Sequence, residues 1–425
     1  MKNNVQAIIL AAGKATRFNT EKTKLAEPIC GQAMILFSTK LLVQLAIDTT
    51  VVIGYEKELI KNIVVNEHAN TINFVEQDEQ RGTGHAIACT ATSWNKENIL
   101  VINGDMPLVT EEVINELYAA HINSNAAISF VTACNPDPTS KSYGRVIKTE
   151  NSIAIIEAKD LSDDQHNCCC INAGIYLIAK NFLHSYITTL KDNNANGEFY
   201  ITDLVKIASE NNLSVATTIA PFDTIRGINT LQELWAAEQI KRSDLIKHWM
   251  DNGVRFALAQ DVHIDLNVTI GQGSYIGCGT HLIGSTVIGK NCHIKEFSSL
   301  ENALLEDNVM IHSHSIIKDT HIASRAEVGP FAHLRNNVTI GHGSVIGNFV
   351  EIKNSSIGTN TKAKHLTYLG DATIGSNVNI GAGTITCNYN GTNKERTTIK
   401  NNAFIGSNNT ALFSRSRCIL LCEIY

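Results

Sequence analysis

Two hydrophobic rhythms divide the chain. Up to residue 263, short apolar runs recur about every 25 residues: Val5–Leu10, Thr50–Ile53, Ile72–Val75, Ile99–Ile102 and Ala126–Val131. Stretches with helical spacing lie between them, such as Met34–Ala46 and Glu111–His121. Short buried strands alternating with helices predict a doubly wound α/β sheet. Further on the beat changes to six. Ile270-Gly271, Ile276-Gly277, Ile288-Gly289 and Ile294-Lys295 are followed by Val328-Gly329, Leu334-Arg335, Ile340-Gly341, Ile346-Gly347 and Ile352-Lys353. Ile357-Gly358, Ile374-Gly375, Ile380-Gly381, Ile399-Lys400 and Ile405-Gly406 complete the series. One inward aliphatic residue per six, usually followed by glycine, marks a parallel β-helix. Each hexapeptide forms one side of a triangular coil, and small residues allow the tight corner. Residues 264–412 hold 17 of the 28 glycines, as such corners require, and the span predicts about eight coils.

Between the halves, Thr230-Leu-Gln-Glu233 has the form of a capping box. Leu231, Leu234, Trp235, Leu245, Ile246, Trp249 and Met250 continue a helix that stops near Gly253. Its two tryptophans are expected to pack on a neighbouring surface.

Length and composition narrow the class. A chain of 425 residues needs at least two cores, and 44% hydrophobic with 18% charged residues excludes disorder. The net charge of −6, without any Lys/Arg run, excludes the usual nucleic-acid footprint. The sequence contains neither a signal-peptide pattern nor an apolar span of about 20 residues, so a soluble cytoplasmic protein that avoids membranes is expected. Eleven cysteines, three of them in the run Cys168-Cys169-Cys170 and none in CxxC pairs, predict reduced structural thiols over disulfides or zinc.

Candidate chemistry in the first half follows the strands. Leu10-Ala-Ala-Gly13-Lys-Ala-Thr-Arg17 comes directly after the first apolar run. There, backbone N–H groups and a basic side chain suit a phosphate, although an ordinary strand-to-helix turn has the same form. Arg17 and Lys24 supply positive charge of the kind that pyrophosphate departure needs. Asp105 ends the run Ile99-Leu-Val-Ile-Asn-Gly-Asp, where a carboxylate can hold Mg²⁺ or simply close a turn.

These pieces, with Gln77–Ala86, Tyr143-Gly144-Arg145, Ile171-Asn172-Ala173-Gly174 and Gly197–Asp203, resemble the sugar-1-phosphate nucleotidyltransferases. More specifically, they resemble the bifunctional enzymes that join N-acetylglucosamine-1-phosphate uridylyltransferase to glucosamine-1-phosphate N-acetyltransferase. The resemblance covers about residues 5–412. It implies a Rossmann-like nucleotidyltransferase domain over 1–228, a helical linker over 229–252 and a left-handed β-helix acetyltransferase domain over 253–412. Leu10, Ala11, Ala12, Gly13, Lys24, Gln77, Gly82 and Thr83 take the place of uridine and triphosphate contacts, with Asn103, Gly104 and Asp105 beside them. Gly144, Glu157, Asn172 and Asn229 take the sugar-phosphate side, and Asp105 and Asn229 the Mg²⁺ ligands. The reaction implied is in-line attack of the sugar phosphate on the α-phosphorus of UTP.

In the second half, Ala363-Lys-His-Leu-Thr-Tyr368-Leu-Gly-Asp371 interrupts the aliphatic-Gly register and resembles the acetyltransferase segment. By that resemblance His365 is the general base. Arg335 and Lys353 are phosphate contacts, Tyr368 and Asn379 sugar contacts, and Ala382, Asn388, Tyr389 and Ser407 contacts of acetyl-CoA. Other histidines, such as His281, His312 and His314, read as turn or surface residues. The loop Asn388–Arg396 leaves the six-residue beat, as a binding excursion does. A homotrimer with sites in the clefts between prisms is expected, acting on small molecules.

Three departures stand out. Ala15 and Thr23 replace a glycine and a proline usual in the family, which predicts either weakened UTP binding or a tolerated variant. Residues 413–425 have neither glycine nor the six-residue beat, so they read as an aberrant tail where further coils are expected. On that reading acetyl transfer is impaired and uridylyl transfer survives. The competing readings are a nucleotidyltransferase for another sugar or base, with the β-helix as trimerisation module, and a non-catalytic trimeric scaffold.

Overall fold

The computed structural model describes all residues except 2, 15–17, 19–21, 135–142, 150–151, 163–164, 166–167, 390 and 412–425. Ala15, Arg17 and the tail after Leu412 therefore lie outside the described residues. Two compact units cover residues 1–239 and 240–425.

The first unit is built on nine strands: β1 (Val5–Ala11), β2 (Asp48–Ile53), β3 (Asn73–Glu76), β4 (Asn98–Asn103), β5 (Ile128–Cys134), β6 (Arg145–Lys148), β7 (Ile153–Ile156), β8 (Cys170–Ala179) and β9 (Val215–Ile219). The main path runs β9-β5-β8-β4-β1-β2-β3, with the β6–β7 hairpin attached to β8. All neighbours on the path are parallel except β8, which is antiparallel to β4 and β5. The central strands read as continuous apolar runs because helices cover both faces, and Ile8, Ile9, Ile99, Val101 and Ile102 are fully buried. The covering helices include α1 (Ile35–Gln44), α2 (Lys57–His68), α3 (Thr83–Ala88), α4 (Glu111–Asn123), α5 (Lys180–Tyr186) and α6 (Asp203–Glu210).

One buried histidine makes a testable difference to stability. His121 of α4 pairs through Nδ1 with Ser129 Oγ at 2.8 Å and through Nε2 with Asn98 Oδ1 at 3.0 Å. Burial pushes its pKa down to about 4. The unfolded chain thus binds this proton at a higher pH than the folded one, so stability is expected to fall as pH drops from about 6.5 to about 4. Melting curves across that window check this, and His121→Gln should flatten the slope.

Helix α7 (Leu231–Asp251) begins at the predicted capping box: Glu233 N donates to Thr230 Oγ1 at 3.2 Å, and Asn229 N to Glu233 Oε2 at 2.7 Å. The tryptophans differ. Trp249 packs against the β-helix core, whereas Trp235 is 63% exposed, so only one of the two finds the expected surface.

The second unit stacks short strands into the three faces of a left-handed parallel β-helix, with partners 17 or 18 residues apart except in the last coil, where Thr373–Thr398, Asn379–Phe404 and Ile385–Thr410 are 25 apart. One face has eight strands, each carrying an inward aliphatic residue: Ile270, Ile288, Leu305, Ile322, Ile340, Ile357, Ile374 and Ile399. Truncating one of these to alanine costs about 2–5 kcal/mol, because the column cannot collapse around the gap. One corner, at Phe297, His314, Phe331, Phe349 and Leu366, has φ of 56°, 59°, 54°, 55° and 43°. Their side chains stand outside the prism, and the first four stack with ring centroids 5.3, 5.0 and 5.4 Å apart.

Candidate functional site

In the first unit the strands' carboxyl ends meet a cavity of about 430 Å³. Leu10, Ala11, Ala12 and Gly13 line it from β1 and its following turn, and Gln77, Gly82 and Thr83 from the segment that leads into α3. Asn103 and Asp105 enter from the end of β4, and Lys24 and Asn229 complete that side. Gly104 lies behind the lining, where a Cβ would stand 2.9 Å from Ile35 and 3.1 Å from the Leu10 carbonyl. Glycine is needed for the end of β4 to approach β1 this closely.

Three oxygens converge on one cation at the cavity wall. The Lys24 ammonium donates to Asp105 Oδ2 at 2.5 Å, the Ile228 carbonyl at 2.8 Å and Asn229 Oδ1 at 2.9 Å. The helix cap holds Asn229 in place, and Ile228 N donates to the Asp105 carbonyl at 3.0 Å. A carboxylate, an amide oxygen and a carbonyl aimed at one positive charge are the hard donors that a divalent cation takes together with phosphates. No group of three or more His, Cys, Asp or Glu suited to a metal occurs among the described residues. The donors that converge here are the Asp105 carboxylate, the Asn229 amide oxygen and the Ile228 carbonyl.

Gly144, Glu157 and Asn172 form a separate cluster. Asn172 N donates to the Gly144 carbonyl at 3.0 Å, and Asn172 Nδ2 to the Tyr176 hydroxyl at 2.6 Å. Burial raises the pKa of Glu157, whose Oε1 accepts from Thr202 Oγ1 at 3.1 Å. A Cβ on Gly174 would stand 2.6 Å from Asn103 Nδ2, so this cluster adjoins the cavity lining.

In the second unit the strands Val345–Lys353 and Lys362–Gly370 are nine residues long and turn the aromatic corner without a break. His365 lies beside that corner, exposed, with Nδ1 2.9 Å from Asn348 Oδ1 on the coil below. Because an amide oxygen only accepts, Nδ1 carries the proton and the Nε2 lone pair is left for another partner. At the far end of the same face, Lys353 pairs with Arg335 below it, and Arg335 is joined to Glu351 at 2.5 Å. Lys353 has its pKa lowered, first by a side-chain contact with Lys394 and then by that residue's charge. Three clustered cations make a place for an anion. Asn388 Nδ2 binds Asp371 Oδ2 at 2.5 Å and the Tyr368 hydroxyl at 3.4 Å. Asn379 lies on the next coil, paired with Lys362. Ala382, half-buried, and Ser407, exposed, lie on successive turns, where Asn408 N donates to the Ala382 carbonyl at 2.7 Å. Tyr389 is 60% exposed, its hydroxyl bonded to Gly391 O at 2.6 Å.

Comparison with known proteins follows the same division. Residues 7–155 match the MobA-like NTP transferase domain, and residues 267–302 and 319–354 the bacterial transferase hexapeptide (six repeats). A protein of Clostridium kluyveri named "Bifunctional protein GlmU" is 38% identical over 407 residues, covering 95% of this chain and 88% of its own. Proteins with the same name from Exiguobacterium sibiricum and Thermodesulfovibrio yellowstonii are 37% and 38% identical, with 95% and 89% covered. The chain belongs to the GlmU family.

Within this GlmU-family chain, sequence reasoning missed several residues. Gln80 and Glu198 line the cavity from motifs already singled out, so spacing was the available signal. Lys14 and Leu25, also in the lining, flank the predicted Gly13 and Lys24. Lys394 lies in the Asn388–Arg396 loop whose break in the six-residue beat was the available signal, whereas Asn348, which reaches His365 from a neighbouring coil, had none.

The proline position of the GlmU loop is filled differently here. Thr23 has φ −61° and ψ 135°, angles that proline would accept, but its N–H donates to Glu56 Oε2 at 2.5 Å. That bond ties the segment before Lys24 to the start of α2. Glu56→Ala is expected to cost about 1–2 kcal/mol in urea unfolding. It should also raise the KM for the nucleotide several-fold with little change in kcat; an unchanged KM would mean that Lys24 is held without it.

Proposed function

We propose that the chain carries out both steps of UDP-N-acetylglucosamine synthesis. In the β-helix an acetyl group passes from acetyl-CoA to glucosamine-1-phosphate. In the first unit a uridylyl group passes from UTP to N-acetylglucosamine-1-phosphate, releasing pyrophosphate. The observation that carries the reading is the Lys24 ammonium shared by Asp105, Ile228 and Asn229 in the wall of the nucleotide cavity.

Leu10–Gly13, Gln77, Gly82 and Thr83 would hold the nucleotide, and Asn103, Gly144, Glu157 and Asn172 the sugar phosphate. An oxygen of the sugar phosphate attacks the α-phosphorus, and the bond to the β-phosphate's bridging oxygen breaks. Lys24 neutralises charge on the triphosphate as it builds. Asp105 and Asn229 would hold Mg²⁺, which supplies further neutralisation when bound.

In the second unit His365 Nε2 takes a proton from the sugar amine as it attacks the thioester carbonyl, and the CoA thiol leaves. Arg335, Lys353 and Lys394 bind the phosphate, and Tyr368 and Asn379 orient the sugar. Ala382, Asn388, Tyr389 and Ser407 face acetyl-CoA. His365 and the three cations stand at opposite ends of one face, and the corner beside His365 carries the exposed stack Phe297-His314-Phe331-Phe349. Both features support a homotrimer in which neighbouring prisms cover that corner and close the acetyl site. No helix among the described residues is long and apolar enough to cross a membrane, and the cytoplasm, where both donors are made, is the proposed place of action.

Relatives named as bifunctional match over nearly their whole length, which favours two activities over uridylyl transfer alone. A paired assay on one preparation tests this, reading pyrophosphate from UTP and N-acetylglucosamine-1-phosphate, and free CoA from acetyl-CoA and glucosamine-1-phosphate. Both products are expected. Pyrophosphate without CoA would leave the uridylyltransferase alone, and neither product would favour a scaffold.

A further inference from the structure

Gln77 reaches the cavity with its amide already committed. Its main-chain N–H donates to Ile53 O at 2.8 Å, so strand pairing fixes where the side chain starts. Its Nε2 is 3.2 Å from the Gly82 carbonyl and 3.0 Å from His85 Nδ1. The Gly82 carbonyl decides which way round the amide stands, because a carbonyl only accepts and the atom facing it must carry hydrogen. That carbonyl is itself held in place. Gly82 has φ 102°, and a Cβ there would stand 2.6 Å from Phe199 O; its oxygen also receives Ala86 N at 3.1 Å as the first bond of α3. With Nε2 as donor, His85 Nδ1 must be the acceptor. The imidazole is therefore neutral with its proton on Nε2, which faces Cys89 Sγ at 3.9 Å. Both Nε2 protons of Gln77 are thus used inside the protein, and Oε1 is its one polar side-chain atom with no partner among the described residues.

We propose that His85 is a positioning residue for base selection: together with the Gly82 carbonyl it locks the Gln77 amide so that the cavity meets an acceptor and never a donor. A site of this kind takes a pyrimidine that presents a ring N–H, as uracil does at N3. It rejects one that presents a lone pair there, as cytosine does, since two acceptors would face each other across a desolvated gap. His85 is not among the residues that line the cavity, so its influence passes through Gln77. This inference rests on the nucleotide reading of the cavity given above.

The test compares UTP with CTP on the full-length protein, by kcat/KM for pyrophosphate release and by calorimetric titration. His85→Leu removes one of the two acceptors that hold Nε2, so the Gly82 carbonyl alone restrains the amide and its Oε1 is presented less firmly; the preference for UTP over CTP should fall about tenfold, mostly through KM. His85→Asn, whose Oδ1 takes the place of Nδ1, should keep most of the preference. Should His85→Leu fail to fold, His85→Gln, which offers its polar end at the Nε2 position, reads the same ratio and should lower it likewise. A loss of rate that is equal for the two nucleotides would reduce His85 to a packing role and overturn the inference alone. Failure of the unsubstituted protein to bind or turn over UTP would overturn the nucleotide reading, and this inference with it.

Discussion

Asp105→Asn is expected to lower pyrophosphate release by a factor on the order of 10³, mainly in kcat. The replacement has the same size, so the turn after β4 keeps its packing and the change removes charge alone. In the native site one carboxylate, one amide oxygen and one carbonyl balance the Lys24 ammonium. Without the carboxylate two neutral oxygens remain, and the site loses the one negative group among the described residues that is aimed at the Lys24 ammonium, where a divalent cation would sit. Leu10–Gly13, Gln77 and Thr83, which line the cavity, are left alone by the substitution, so KM should change less than kcat. Free CoA release from the same preparation provides the internal control and should stay within about twofold, since Asp105 and His365 belong to different compact units. Pyrophosphate release within tenfold of the native value would remove Asp105 from the chemistry.

Much of this architecture can be read from periodicity, and the exceptions have identifiable causes. The hexad pattern identifies Ile270, Ile288, Ile340 and Ile374 because glycine follows each, where the next coil's backbone stacks within 2.7 Å of a Cβ. It passes over Leu305, Ile311, Ile317 and Ile322, whose next residues are Glu306, His312, Lys318 and Ala323, although all four are buried, Leu305 and Ile322 in that same column and Ile311 and Ile317 in columns of the other faces. The inward position is obligatory for every coil; the glycine is required only where the backbone above comes close. Corner residues were illegible for a related reason. Asn, Gly, Phe, His and Leu all occupy left-handed corners here, so no single residue type marks them. In the first unit, the strand ends and the loop motifs place most of the cavity lining. Contacts made at long sequence separation, such as Thr23 with Glu56, leave no periodic trace. The same holds for Asn348 with His365, which are 17 residues apart in sequence and adjacent through the coil repeat.

His365→Ala is expected to lower CoA release by between about 10² and 10⁴ while pyrophosphate release stays unchanged. The amine of the acceptor sugar must lose a proton as its nitrogen bonds to the acetyl carbon, and Nε2 of His365 is the lone pair that geometry leaves for it. Asn348 is what makes that lone pair available: its Oδ1 accepts only from a protonated Nδ1, so it selects the tautomer with a bare Nε2. Asn348→Leu should therefore cost about tenfold in kcat with the KM for glucosamine-1-phosphate nearly constant, because the base is still present but spends part of its time in the wrong tautomer or orientation. The cations at the other end of the face should give the opposite split. Lys394→Ala weakens a three-cation anion site, so it is expected to raise that KM several-fold and leave kcat largely intact. These three variants separate proton transfer, its positioning and phosphate binding in one assay. A His365→Ala protein that still releases CoA within threefold of the native rate would require a different base, and the Asn348 result would then reflect packing alone.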